Sequence, residues 1–358
     1  MINNKIRLGI IGFGKRGNTH LRNFLSVEDV NVVAICDIKK IKLRKSLQNK
    51  IKQYDNYLKM ITSENVDAVS ICLPTHLHYE VTKSCLKKGV NVLLEKPATL
   101  NEKELQRLIK MTKTLNLVLM IGYNLRFNKK IQEIKSIIDS NELGSILMIR
   151  GRQSHNWGGL NPFGWLMDKT KSGGGTIIDN ASHYLDLFEY FLGNISEVLA
   201  FSNNSSFRGE VEDNALIGLK FKNNNIIGSI ETSWQDASGR NNHIIIWGSR
   251  AVLEFKESNC EQVFEIKNYK NKYKDFNRIM VQRLYIPRGI EQVSKKVNID
   301  NTPNIDKEDT IMMINYFINL IKNPKERKKF EKIYNPLRNK KLIDATYMSL
   351  KNKKVIKI

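Results

Sequence analysis

Cysteine is scarce in this chain. The 358 residues hold four, Cys36, Cys72, Cys85 and Cys260, with no CxxC pair and no zinc-ligand spacing. A disulfide-stapled scaffold and a zinc ribbon are thereby excluded. Cys36 and Cys72 each sit inside an apolar strand-like run and read as small core residues, a usage that suits a reducing compartment. Long hydrophobic runs are missing too: none approaches the ~20 residues a bilayer span requires. The opening MINNKIRLGIIGFG passes directly into a strand with no secretory signal, so the expected location is cytoplasmic. There is no internal repeat. Acidic residues are outnumbered, 36 against 58 Lys and Arg, for a formal net charge of +22. Such a charge is compatible with nucleic acid or an acidic surface as partner. Here the lysines are scattered, and the densest stretches, 322–332 and 338–341, lack the interleaved aromatics of a single-strand binding surface. The charge therefore reads as a solvated lysine-rich surface, with attraction for an anionic substrate as the alternative.

What is present is an ordinary globular composition, 41% apolar and 26% charged, in a chain long enough for two cores. Short apolar runs at 6–11, 30–36, 66–73, 90–94 and 117–121 alternate with helical periodicity, as in Leu21, Phe24 and Leu25, or Leu105, Leu108, Ile109 and Met111. Continuous apolar strands between helices predict an α/β domain over residues 1–123, built on a parallel sheet buried on both faces. Such sheets bind ligands at the carboxyl ends of their strands. Beyond residue 123 the pattern changes. A helix at 131–138 and a glycine-led helix at 179–191 come before strand-like runs at 215–221, 226–234, 243–247 and 251–255, separated by Asn, Gly and Ser as in antiparallel meanders. A last helix is expected at 341–350, after Pro336. Residues 124–358 are thus expected to form an α+β domain; its polar, lysine-rich stretch 270–310 suggests no element.

The first motif is GxGxxG, Gly12-Phe13-Gly14-Lys15-Arg16-Gly17, lying between a strand and a helix. Gly12 permits a tight turn, Gly14 lets the backbone approach a pyrophosphate, and Gly17 lets helix and strand pack closely. The helix N-terminus offers free N–H groups to the phosphates. This is a Rossmann arrangement, with a bare strand–helix turn as the alternative. Asp37 closes the next strand 20 residues after Gly17. A carboxylate there accepts ribose hydroxyls and repels a 2′-phosphate, which favours NAD over NADP, although Lys39 and Lys40 follow closely; as an alternative Asp37 is a helix cap. Pro74, Thr75 and His78, with His76 between them, close another strand at the cofactor edge. Glu95-Lys96-Pro97 closes a third. A partly buried lysine on a rigid strand end interacts strongly with a developing alkoxide. Gly173-Gly174-Gly175 precedes Asp179, His183 and Asp186, which share one face if the segment is helical. That stripe suits acid–base work, since a histidine titrates near neutrality and can take a hydroxyl proton. A metal site and a structural polar stripe are the other readings, and no metal is expected.

The ordered set GFGKRGNTH, ICLPTHLHYE, EKPA, GYNLRF and GGGTIIDNASHYLD resembles the glucose–fructose oxidoreductase / inositol dehydrogenase / MocA (Gfo/Idh/MocA) family. The likeness extends over nearly the whole chain, through EDNALIGLKF, IETSW and the tail LIDATYMSLKNKKVIKI. It implies a Rossmann domain followed by an α+β domain with a large, open, mostly antiparallel sheet that commonly mediates homodimers or homotetramers. It implies Lys96, Asp179 and His183 as catalytic residues: His183 removes the hydroxyl proton, Lys96 stabilises that oxygen and Asp179 holds substrate. Glu95 and Lys96 are expected to touch the cofactor. Asn124, Arg126, Arg152 and Trp165, with His155, Asn156 and Trp157 nearby, are expected at the substrate. The chain departs from the family in EKPA, which lacks a larger aliphatic residue after EKP, and in Asn180-Ala181-Ser182, where many members carry a glycine before the histidine. The expected activity is NAD-dependent hydride transfer to or from a hydroxyl of a sugar, inositol or nucleotide sugar. NAD-assisted elimination or glycoside hydrolysis, and a non-catalytic dinucleotide-binding regulator, stand as alternatives.

Overall fold

The computed structural model describes residues 5–156, 164–205, 210–222, 225–237, 239–258, 261–269, 276–285 and 305–358. The first third alternates strictly: β1 (Ile6–Ile11), α1 (Lys15–Phe24), β2 (Val30–Cys36), α2 (Lys45–Gln48), β3 (Lys52–Tyr54), α3 (Tyr57–Glu64), β4 (Ala68–Ile71), α4 (Thr75–Lys87), β5 (Asn91–Leu94), α5 (Glu102–Leu115) and β6 (Leu119–Ile121). All six strands are parallel, in the order β3-β2-β1-β4-β5-β6. That order is the doubly wound Rossmann arrangement, and the crevice where it reverses lies between β1 and β4. Leu8, Ile10, Ile35, Val69, Ile71 and Val92 are buried with helices on both faces, which is why these strands read as unbroken apolar runs. Asn56 and Asn101 cap α3 and α5, each accepting backbone N–H bonds.

A 3-10 turn, Asn124–Phe127, leads to α6 (Lys129–Asp139) and β7 (Ile146–Ser154). Then come a 3-10 turn at Gly164–Met167, α7 (Lys169–Ser172), a π-helical turn at Ile177–Ala181 and α8 (Ser182–Leu192). Strands β8 (Ile195–Asn203), β9 (Asn214–Phe221), β10 (Ile227–Ser233), β11 (Asn241–Gly248), β12 (Ala251–Ser258), β13 (Glu261–Tyr269) and β14 (Phe276–Tyr285) follow. The chain ends in α9 (Ile305–Lys322), α10 (Pro324–Ile333), α11 (Pro336–Asn352) and β15 (Ile356–Lys357). The second sheet runs β14-β13-β12-β11-β7-β10-β9-β8-β15, and every pairing is antiparallel except β7 with β10. Helix α8 packs on this sheet. A Cβ at Gly151 of β7 would lie 2.7 Å from Tyr184 Cε1 and 2.8 Å from Phe188 Cζ, so the strand has no side chain there and the rings lie directly on its backbone. No described helix is long and apolar enough to cross a membrane.

The chain divides into two compact units, and the boundary departs from the expected cut at residue 123. Residues 1–129, 170–173 and 303–340 form the first unit, and 130–169, 174–302 and 341–358 the second. Residues 303–340 therefore return to the first unit. Helix α9 supplies Met313, Ile314, Phe317 and Ile318 to the same core as Leu8 and Ile10, and Tyr316 packs its ring on Phe127 and Phe330. Of the unassigned stretch 270–310, the described parts are β14 and the start of α9.

Candidate active site

In the first unit the glycine loop has the stereochemistry its motif predicts. Gly12 sits at φ +89°, where a Cβ would lie 2.5 Å from the Cys72 carbonyl oxygen. At Gly17 a Cβ would overlap the Gly12 carbonyl. A Cβ on Gly14 would meet nothing within 4 Å, so the N-terminus of α1 opens onto free space. Phe13 donates its backbone N–H to Asp37 Oδ2 at 2.6 Å, and Lys39 donates its own to Oδ1 at 2.8 Å. Each carboxylate oxygen keeps a lone pair for a further donor. Lys15, Lys39 and Lys40 are exposed. Thr75, at the first position of α4, is buried, and its hydroxyl has no hydrogen-bond partner in the protein.

Three expected cofactor contacts are used differently. His78 is buried, with Nδ1 2.8 Å from the Pro97 carbonyl and Nε2 2.8 Å from that of Leu73. Both ring nitrogens are occupied by main chain, so it ties two strand ends together instead of facing a ligand. Burial lowers its pKa, and the two carbonyls act in the other direction. Glu95 is also buried. Its Oε1 accepts from Arg16 Nε at 3.0 Å and lies 2.8 Å from His20 Nε2, while Oε2 accepts the Lys96 N–H at 3.3 Å. Glu95 and Arg16 thus engage one another. Burial pushes the Glu95 carboxyl up, but Arg16, His20 and Lys96 outweigh it and hold the group well below the usual carboxylate range. For His20 burial opposes the charged ring, Cys72 and Glu95 favour it, and the balance raises it to about 9. Lys96 follows β5, half-buried. Asn124 is buried in the 3-10 turn after β6, and Arg126 sets its guanidinium 5.4 Å from the Tyr334 ring centre.

In the second unit the expected helix at 179–191 opens instead as the π-helical turn that carries Asp179, a deviation common at functional sites. Its entry is tightly constrained. Glu212 Oε1 accepts the Gly175 and Ile177 N–H groups at 3.0 Å each and the Tyr347 hydroxyl at 2.8 Å. A Cβ on Gly174, at φ +154°, would overlap the Tyr347 hydroxyl, and one on Gly175 would overlap the Glu212 carbonyl. Burial raises the Glu212 pKa, and its hydrogen bonds counteract this. Asp179 Oδ2 accepts the indole N–H of fully buried Trp234 at 3.1 Å. His183 and Asp186 are buried in α8. His155 Nδ1 lies 3.4 Å from Asn180 Nδ2, while Asn156 bridges to Gln235. Trp165 is half-buried in a turn whose Met167 packs on Val211 and Trp234. Trp157 lies outside the described residues. Arg152 is a correction. It pairs with Glu231 of β10 and His243 of β11, while its neighbour Gly151 faces α8, so strand alternation turns it to the opposite sheet face, where it binds Asp236 at 2.9 Å.

Residues 6–123 match the model of an oxidoreductase family with an NAD-binding Rossmann fold, and residues 131–254 match that of the GFO/IDH/MocA C-terminal domain, together well over half of the chain. The chain belongs to the Gfo/Idh/MocA oxidoreductase family. Among similar proteins, myo-inositol 2-dehydrogenase of Thermotoga maritima is 29% identical over 259 residues, 69% of this chain and 74% of that protein. Inositol 2-dehydrogenase of Salmonella typhimurium is 33% identical over 152 residues, 41% and 45% of the two chains. The solved structure of levoglucosan dehydrogenase in complex with NADH superposes with a TM-score of 0.80 at 18% identity, covering 99% of each chain, and shares the fold.

NAD is the cofactor of this family's Rossmann domain, and the residues present fit it. The open space at Gly14 and the unpartnered Thr75 hydroxyl lie at the ends of β1 and β4, where the strand order reverses. Among the described residues no three His, Cys, Asp or Glu side chains are grouped to hold a metal ion. Sequence reasoning missed Trp234 as the donor to Asp179, Glu212 and Tyr347 as the frame of the glycine triplet, and His20 as the partner of Glu95. All four lay inside stretches already noted: His20 in GFGKRGNTH, Glu212 in EDNALIGLKF, Trp234 in IETSW and Tyr347 in the tail LIDATYMSLKNKKVIKI.

Proposed function

We propose that this protein moves a hydride between NAD and a secondary hydroxyl or ketone of a sugar, an inositol or a nucleotide sugar. Bound NAD supplies the nicotinamide ring that accepts or returns the hydride. His183 takes the hydroxyl proton as the C–H bond breaks and the C=O bond forms. Lys96 holds positive charge against the oxygen as it sheds its proton, and Asp179 binds a substrate hydroxyl. The observation that carries this reading is the setting of Lys96: a half-buried lysine at the carboxyl end of a parallel strand, with its backbone N–H on a buried carboxylate. The dehydrogenase names of relatives acting on inositol, levoglucosan and glucosides support the substrate class. Asp37 favours NAD over NADP. The reading calls for no metal ion.

The test is a panel of myo-inositol, levoglucosan, D-glucosides and nucleotide sugars, followed by nicotinamide absorbance. Net NADH formation on at least one member supports the reading; product release without net NADH supports transient oxidation in an elimination or hydrolysis instead. On the accepted substrate the oxidative rate rises with pH through one ionisation, and His183→Asn loses that limb while still binding NAD; an unchanged profile excludes His183 as the base. A homodimer or homotetramer is also part of the proposal. Phe201 and Leu216, paired across β8 and β9, are exposed on the sheet face that carries Arg152, and Ile227 is exposed on the same face further along β10, which supports self-association. Sedimentation of a single monomeric species would contradict it.

A further inference from the structure

Strand β4 reads Ala-Val-Ser-Ile and is completely enclosed, so the Ser70 hydroxyl needs a partner inside the core. Its Oγ lies 2.7 Å from His20 Nδ1. The His20 ring is fully buried, and its Nε2 reaches Glu95 Oε1 at 2.8 Å. Arg16, one helical turn earlier on α1, places Nη2 2.9 Å from the same oxygen. The other Glu95 oxygen takes the Lys96 N–H, and from α4 His78 holds the Pro97 carbonyl. The groups facing Glu95 are therefore Arg16 and His20 from α1, His78 from α4, and Lys96 itself, while Cys72, just beyond β4, faces His20 and Ser70. The tripeptide 95–97 is gripped from two helices at once.

Stability alone is a weak reason for such a network, because apolar residues of similar volume often serve as well as a buried ion pair. His20 has no exposed surface, so it touches neither substrate nor cofactor and can act only through what it holds. A lysine carries about 2 kcal/mol of side-chain rotamer entropy, and a catalytic group must be held to within about 0.5 Å of its working position. Anchoring its backbone is the first requirement.

We propose that Glu95 and His20 are positioning residues for Lys96: the Ser70–His20–Glu95 chain, braced by Arg16, locks the strand end that carries the lysine onto the glycine-loop helix α1. The inference rests on the proposed hydride transfer with Lys96 at the reacting oxygen. Because α1 also opens at Gly14, a dinucleotide seated there and Lys96 share one support.

The test compares Glu95→Gln, His20→Asn, Lys96→Ala and the double variant Glu95→Gln/Lys96→Ala in the full chain, with NAD and the panel member turned over fastest. Glu95→Gln and His20→Asn each lower kcat by roughly 10- to 100-fold, up to the cost of misplacing a reacting group by about 1 Å, while KM and the Kd for NAD stay within about threefold. The double variant is no slower than Lys96→Ala, because the carboxamide then has no lysine left to misplace. If Glu95→Gln does not fold, Ser70→Ala takes its place, with a kcat loss of roughly threefold or more and the same non-additivity. Near-normal kcat in the single variants, a loss confined to thermal stability, or losses that multiply in the double variant would overturn the inference while leaving the reaction standing. Undiminished turnover in Lys96→Ala would instead overturn the reaction itself.

Discussion

Lys96 and Asp179 stand on supports of different kinds. Next to Lys96, in the first unit, the core contains charge: Glu95 with Arg16 and His20, backed by Ser70. Next to Asp179, in the second unit, it contains glycines pressed against main chain and the Tyr347 hydroxyl, all tied to one buried carboxylate, Glu212, with the Trp234 indole as the donor to Asp179. The first support depends on ionisation and will respond to pH. The second has no ion pair at its centre, only N–H and O–H donors on Glu212, and its glycines leave no room for a single added methyl group. Each is local to its own unit, and the contrast exposes them to different perturbations.

The largest effect is expected from Gly174→Ala. The new Cβ would overlap the Tyr347 hydroxyl at a backbone φ of +154°, so the variant loses about 3 kcal/mol or more, a drop of roughly 5–10 °C in Tm. The same change at Gly14 meets open space at φ −74°. Thermal melts should show it as stable as the parent, whereas fluorescence titration should show NAD affinity weakened about tenfold or more, because the methyl group stands where the backbone meets pyrophosphate. Equal melting losses at both positions would erase the distinction between a glycine required by packing and one required by a ligand.

A smaller effect follows from His20, whose pKa is raised to about 9. Its folded-state value exceeds the unfolded value of about 6.5. The stability it contributes is therefore complete below pH ~6.5 and is lost as pH rises through about 9. Melting temperature should fall across that window by a few degrees, and His20→Gln should flatten the fall. A wild-type curve that is level from neutrality to pH ~9 would show that the ring is neutral in the folded protein.

Much of the first unit was legible because a doubly covered parallel strand is apolar at every position. The runs 6–11 and 30–36 coincide with β1 and β2. Strands β7 and β8, IRGRQS and SEVLAFSN in their outer parts, mix charge with apolar residues because one sheet face is open, and they escaped notice. The same alternation misled the reading of Arg152: a basic residue one step from a buried glycine faces the other way, and no local pattern reveals which face the helix covers. Helix α9 was hidden by distance, since its burial depends on a sheet some 300 residues earlier in the chain. In the candidate site, residue types were readable and partners were not. His78 and Glu95 carry the chemistry of ligand contacts, but hydrogen bonds made far along the sequence commit them to the protein itself.

The smallest expected effect concerns the far end of the cofactor edge, where both Asp37 oxygens already hold backbone N–H groups. Asp37→Ala should lower the ratio of NAD to NADP affinity by about tenfold, roughly 1.4 kcal/mol, with kcat on NAD little changed. A parent that binds NADPH as tightly as NADH would contradict the role given to this carboxylate.

The support around Lys96 has a purpose only because the lysine acts in hydride transfer. Single-turnover reduction of enzyme-bound NAD by the accepted panel substrate measures that step directly. For Lys96→Ala the expected rate is at least ~100-fold below the parent's, with the Kd for NAD within about threefold of the parent's. A Lys96→Ala enzyme that reduces bound NAD at close to the parental rate would contradict it.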